Sequence, residues 1–306
     1  MTRKLFVLAA AVATFLAPLI HESVSNAAEI KVIGSAGVTG TVDELSRQFA
    51  AATGHKVMTD YEVVAVLKRR IDAGEVFDVA ILSPEAIDDL IQSANIAADG
   101  RTNFGRAGLA VGARKGAPKP DVSSVEAFKR TMLNARLVSY SKEGLSDVHF
   151  LATLARLGIA EDMQPRIKAY ETSEYTTAVV KGEAELIVTA TGPLLAEPGI
   201  EIVGVLPPEL QTYVYFTAGV SAAAKEPQAA KSFIRFLTSP AAAPVMKAKG
   251  LEPGWAKSTL HHSVPATRAG AQTLLQWATS PGMKSLSPAT LLMQPSPDGH
   301  KHARSS

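Results

Sequence analysis

The sequence predicts an α/β fold in two lobes joined by hinge crossings, and three observations predict it. Short apolar runs alternate with stretches of helical periodicity along most of the chain, which is the pattern of repeated βα units and a parallel sheet. These units fall into two groups, more than one small sheet usually holds. A long apolar run from Tyr213 to Val220 is placed to carry the chain back from the second group to the first. Two crossings between lobes make a hinge.

In the first group, the run Glu29 to Ile33 ends at Gly34 and leads into Val42, Leu45 and Phe49 at helical spacing. Thr41 with Glu44 three places on reads as a capping box, and Gly54 stands where the helix should stop. The pair recurs as Lys56 to Tyr61 followed by Val64, Leu67 and Ile71, closing at Gly74. A third unit runs from Phe77 to Leu82 into Ser83-Pro84-Glu85, a helix start because proline lacks the N–H that a first turn cannot use and the acid favours the positive end. The second group has strands at Leu109 to Arg114, Arg136 to Ser141, Ile167 to Tyr170 and Ala184 to Thr191. Its helices are expected at Ser124 to Met132, from Ser146 to Leu157 ending at Gly158, and at Ser173 to Val180 ending at Gly182. After the return strand, Pro227 to Leu237 and Ala241 to Lys249 read as two amphipathic helices. The expected organisation is lobe 1 over residues 28–108, lobe 2 over 109–211, and a return strand with completion of lobe 1 over 212–254.

The ends differ from this body. Arg3 and Lys4, an apolar run from Leu5 to Ile20 and then Ser25-Asn26-Ala27 give the order of a secretory signal peptide over residues 1–27, with an uncleaved anchor helix as the alternative. Residues 255–306 carry five basic residues and one acid among many Ser, Thr, Pro and Ala, and read as a basic, loosely ordered tail. The expected location of the mature chain is the periplasm.

Composition excludes several chemistries. The 306 residues include no cysteine, which removes disulfides, thiolate nucleophiles, iron–sulfur clusters and Cys-based zinc sites. Net charge is only +2, and residues 28–254 hold 27 acidic against 24 basic side chains, so no nucleic-acid partner is expected. The body has two histidines, His55 and His149, too few for a His-rich metal centre, and the four in the tail are weakly patterned. No cofactor and no metal are expected.

Two loops carry what chemistry remains. Gly34 to Gly40 matches neither the dinucleotide fingerprint nor a P-loop, but it sets Ser35, Thr39 and Thr41 beside the N–H groups of a helix start, as neutral anion cradles do. The second loop, Ser139 to Ser146, repeats the arrangement. Both lie at carboxyl ends of strands, where open α/β sheets collect ligands, and across two lobes they would enclose a small polar or anionic solute. Each is also readable as an ordinary turn with a helix cap. Ser146, Asp147 and His149 are neighbours on a helix start and point in different directions, and no G-x-S-x-G elbow exposes the serine, so the chain is not expected to be an enzyme.

The order and spacing of several pieces resemble the type II periplasmic solute-binding proteins of ABC importers, in the molybdate-receptor-like branch. These are Ile30 to Ser35 before a helix; Ala73-Gly74-Glu75 with Asp78 to Ser83; Lys181 to Glu185; Gly199 to Leu210; Ala229 to Pro240; and Lys249 to Pro253. The resemblance implies a clamshell that closes on an oxyanion or small anionic solute with hydroxyls and backbone amides and docks, as a monomer, on a permease in the inner membrane. It places Ser35 and Ala36 of the first loop, the stretch around Ser146 and Thr172, and Tyr215 of the return strand at the ligand. Val64 stands where the family has a serine, which puts molybdate itself in doubt. A periplasmic enzyme on the same clamshell and a solute sensor for a membrane signalling partner are the alternatives.

Overall fold

A computed structural model describes residues 27–142, 144–171 and 174–254. The first 26 residues of the expected signal peptide and the expected tail lie outside the described residues. In chain order the elements are β1 (Glu29–Ser35), α1 (Thr39–Thr53), β2 (Lys56–Glu62), α2 (Val64–Asp72), β3 (Val79–Leu82), α3 (Pro84–Gln92) and β4 (Thr102–Arg114). There follow α4 (Val125–Asn134), β5 (Val138–Ser141), α5 (Leu145–Arg156), α6 (Ala160–Met163), β6 (Ile167–Tyr170), α7 (Glu174–Val180) and β7 (Leu186–Ala190). The chain continues through α8 (Thr191–Ala196), β8 (Ile200–Val205), β9 (Tyr213–Val220), α9 (Pro227–Leu237), α10 (Ala243–Ala248) and β10 (Glu252–Pro253).

The strands run in the order β2-β1-β3-β9-β4-β7-β5-β6, with β8 and β10 also paired to β4. β1 pairs with β2 and β3 in parallel, and β5 with β6 and β7 likewise. β4 joins the two halves: Thr102 to Gly108 pair with β9, and Leu109 to Ala113 pair with β7. β9 returns antiparallel to β3, so two extended segments span the junction between a β2-β1-β3 lobe and a β7-β5-β6 lobe. This is the two-lobe α/β clamshell with hinge crossings.

The inner strands β3 and β7 are buried on both faces, which is why they read as nearly continuous apolar runs. In β3, Val79 and Ile81 enter one core cluster while Ala80 and Leu82 enter another with Ile33, Leu67 and Ile87. Buried Asp78 fastens the first lobe: its carboxylate accepts the backbone N–H of Lys31 and of Lys225, each at 2.8 Å. Ser83 caps α3 by accepting from Ala86 N–H, and Gly54, Gly158 and Gly182 adopt positive φ at helix ends.

Three details differ from the sequence expectation. α1 begins at Thr39 rather than after Thr41, because a 3-10 turn over Ala36–Val38 starts the spiral early; Thr41 lies inside the helix with its hydroxyl buried and unbonded. β4 starts seven residues before Leu109, through a glycine-bearing stretch with a register shift at Gly105 that hides its alternation. Finally, α6, α8 and β8 are short elements whose periodicity is too brief to read.

Candidate functional site

A cleft opens where the two lobes meet. From the β2-β1-β3 lobe it is lined by Ser35, Ala36 and Gly37 after β1 and by Val63 and Val64 at the start of α2. The other lobe contributes Ser141, Gly144, Leu145 and Ser146 between β5 and α5, Tyr175 of α7, and Thr189, Ala190 and Pro193 around the end of β7. Val214 and Phe216 of the returning β9 form its floor. The innermost space open to the centres of water molecules is about 40 Å³, and the whole cleft, counted out to bulk water at its mouth, about 380 Å³. The inner space holds about three waters.

Two features of the cleft's walls bear on what it can hold. α2 and α5 begin on opposite walls, and neither has a side-chain cap, whereas α3 and α4 are capped by Ser83 and Ser124, which do not line the cleft. The first turns of α2 and α5 thus bring backbone N–H groups to the two walls, although in α5 the buried Asp147 carboxylate takes the Val148 N–H at 2.6 Å. Beside them sit hydroxyls that are nearly all buried: Ser35, Ser141, Ser146 and Thr189. Ser146 Oγ lies 3.0 Å from Thr189 Oγ1, and Ser35 Oγ accepts from Gly37 N–H at 3.4 Å. Among the described residues the Ser141 hydroxyl makes no hydrogen bond, an unmet donor at the cleft wall. Gly144 admits it, since a Cβ there would stand 2.2 Å from Ser141 Oγ.

No lining residue carries a charge. Tyr175, the one lining residue with an acidic proton in the ordinary titration range, is pushed up to about 12 by burial and stays a neutral donor. Among the described residues no cluster of three or more His, Asp or Glu is arranged to hold a metal ion. Ser146, Asp147 and His149 do not assemble into a triad. Ser146 pairs with Thr189, while His149 Nδ1 lies 3.0 Å from Thr212 Oγ1 at the return crossing. Burial pushes the His149 imidazole below its usual pKa, with Glu85 opposing.

The lobes touch beside the cleft. Thr191 Oγ1 donates to the Gly250 carbonyl at 2.6 Å, and Gly192 lies so close to Gly37 that a Cβ on it would meet the Gly37 oxygen at 2.5 Å. Leu145 packs into the core cluster that holds Val64.

Of the residues picked from sequence, Ser35, Ala36 and Ser146 come together here. Thr172 lies outside the described residues. Tyr215 does not line the cleft: Val214 and Phe216 do, while Tyr215 between them is 51% exposed beside Arg106. Thr189 was missed, and Ser141, inside the second loop read from sequence, was not singled out there as a contact. Both stand at the carboxyl end of a parallel strand, the rule that found Ser35, and that rule applied to every such strand would have found them.

The family model for bacterial extracellular solute-binding proteins matches residues 30–252. An aconitate isomerase from Pseudomonas sp. is 30% identical over 230 residues, covering 73% of this chain and 87% of that protein. The molybdate-binding protein ModA of Azotobacter vinelandii is 25% identical over 239 residues, covering 74% and 90%. The solved structure of the Azotobacter vinelandii periplasmic molybdate-binding protein superposes with a TM-score of 0.63 at 19% identity, over 72% of this chain and 98% of that one. The chain therefore belongs to the bacterial extracellular solute-binding proteins, with the type II fold of their molybdate-receptor-like branch.

Proposed function

We propose that the protein is a periplasmic receptor that captures a small anionic solute, leaves it chemically unchanged and hands it as a monomer to an ABC permease in the inner membrane. In this reading the lobes divide at 108/109 and 211/212, and Ser35, Ala36 and Ser146 contact the solute together with Ser141 and Thr189. The observation that carries it is the pair of uncapped helix starts, α2 and α5, facing each other across a cleft whose hydroxyls are buried and whose walls hold no charge. Such a site neutralises an anion with dipoles, which bind without supplying a base.

The test is thermal shift of the mature chain against molybdate, tungstate, sulfate, phosphate and small organic acids. A solute at 100 times its Kd should add roughly 2.7 kcal/mol, which for a body of this size raises Tm by roughly 5–10 °C. If no solute of either kind moves Tm, the receptor reading fails.

A second reading is favoured by one finding, the 30% identity to a protein named aconitate isomerase. An isomerase needs a group that moves a proton, and among the lining residues Tyr175, held neutral by burial, is poorly suited to accept one. Incubating the purified chain with cis-aconitate and following the trans isomer by proton NMR decides between the two; turnover above buffer alone makes the protein an enzyme.

A further inference from the structure

We infer that the cleft takes a small organic carboxylate rather than a tetrahedral oxyanion, and that Val64 sets this choice; the inference rests on the receptor reading and names its ligand class. The two walls differ in chemistry. The β7-β5-β6 lobe presents Ser141, Ser146 and Thr189, with Tyr175 behind Thr189, whereas the opposite wall offers one hydroxyl, Ser35, among Ala36, Val63 and Val64. The floor is apolar too, formed by Val214 and Phe216, whose ring is packed so tightly that a Cβ on Gly37 would stand 2.7 Å from it.

A tetraoxoanion carries oxygen on every side. Enclosed here, it would turn some of its oxygens to the side chains of Val64, Val214 and Phe216, which offer no donor to an acceptor stripped of water. A carboxylate concentrates its charge at one end. That end fits the start of α5 and the unbonded Ser141 hydroxyl, and the carbon skeleton then lies against Val64, Val214 and Phe216, where burial favours it. A second carboxylate on the same skeleton reaches the start of α2, which is also uncapped.

The experiment measures Kd by calorimetry for succinate, fumarate and citrate against molybdate, sulfate and phosphate, on the wild-type chain and on Val64→Ser. Wild type is expected to bind at least one carboxylate more tightly than every tetraoxoanion. Val64→Ser should weaken that carboxylate by roughly tenfold, the effect of losing about one apolar contact in a pocket, and should narrow the gap to the tetraoxoanions. A wild-type chain that prefers a tetraoxoanion overturns this inference while leaving the receptor reading intact. Binding of neither class overturns both. A Val64→Ser protein that folds, by circular dichroism, and keeps the wild-type ratio removes Val64 from its role. Should Val64→Ser not fold, Val64→Thr, which keeps the branched shape, takes its place, and the wild-type comparison decides the ligand class by itself.

Discussion

The Gly192 contact gives the sharpest test of closure, because it is backbone against backbone and has no side chain that could move aside. A Cβ at Gly192 would sit 2.5 Å from the Gly37 oxygen, whereas ordinary contact begins at 3.4 Å, so Gly192→Ala forces the lobes apart here by about 0.9 Å. The neighbouring Thr191 Oγ1 to Gly250 bond, 2.6 Å long, would then stretch to the limit of hydrogen bonding. Losing it costs about 0.5–1.5 kcal/mol, and residual overpacking roughly 1–3 kcal/mol. Affinity for the panel solute with the largest wild-type response should therefore fall roughly tenfold to a thousandfold. Thr191→Val removes the bond without the clash and should cost roughly two- to tenfold. Both variants should keep their solute-free Tm within a few degrees, since opening the cleft leaves each lobe's core intact. Calorimetry reads the affinities, and small-angle scattering reads the separation of the lobes. If Gly192→Ala binds within twofold of wild type, the contact is no part of the closed state and the reasoning fails.

Other perturbations test the scaffold around the cleft. Phe216 is 2% exposed in the core and floors the cleft, so Phe216→Ala should destabilise the fold by about 3–5 kcal/mol in chemical denaturation; a loss below 1 kcal/mol would mean that the ring is not packed as described. The His149 imidazole is held below its usual pKa by burial, so its contribution is complete above about pH 6.5 and is lost as pH falls through the depressed folded value. Wild-type Tm should drop on acidification below that point more steeply than that of His149→Gln, and parallel curves would contradict the burial. The Glu75 carboxyl is pulled down to about 2, first by Arg70 at 2.5 Å and then by Lys31 at 2.8 Å. Its stabilisation is present above about pH 4.5 and lost as pH falls toward 2; Glu75→Gln should cost roughly 1 kcal/mol at pH 7 once solvent screening is counted, a gap that must shrink with acid.

The fold was legible because its signals are local and agree with one another. Ser83-Pro84 marks a helix start that the structure caps at Ala86, and Gly54, Gly158 and Gly182 end helices with positive φ where the sequence places them. β4 was half hidden, since its first seven residues contain a register shift between Asn103 and Gly105 and alternate on no single face. Short elements such as α6 and α8 span about one turn or a little more, and periodicity carries little information over that length.

The site was legible where it depends on backbone and illegible where it depends on the parity of a strand. Ser35 and Ser146 follow from a strand end before a helix start, a rule that needs no knowledge of the partner lobe. Tyr215 was chosen by its place in a resembling family, and the pairing of β9 with β4 sets it opposite Arg106 instead, on the face away from the cleft. The sequence held a contrary signal at the start of the strand, for Val214 and Phe216 are the apolar residues there and both are buried, whereas from Phe216 onward both faces are covered, Thr217 included. Tyr215, between those two, takes the other face. The same parity places Phe216 at the floor, and this sets the chemistry of the cleft: the strand brings an aromatic face where a tyrosine hydroxyl was expected, and the lining has hydroxyls from Ser141, Ser146 and Thr189 on one wall and the carbon of Val63 and Val64 on the other.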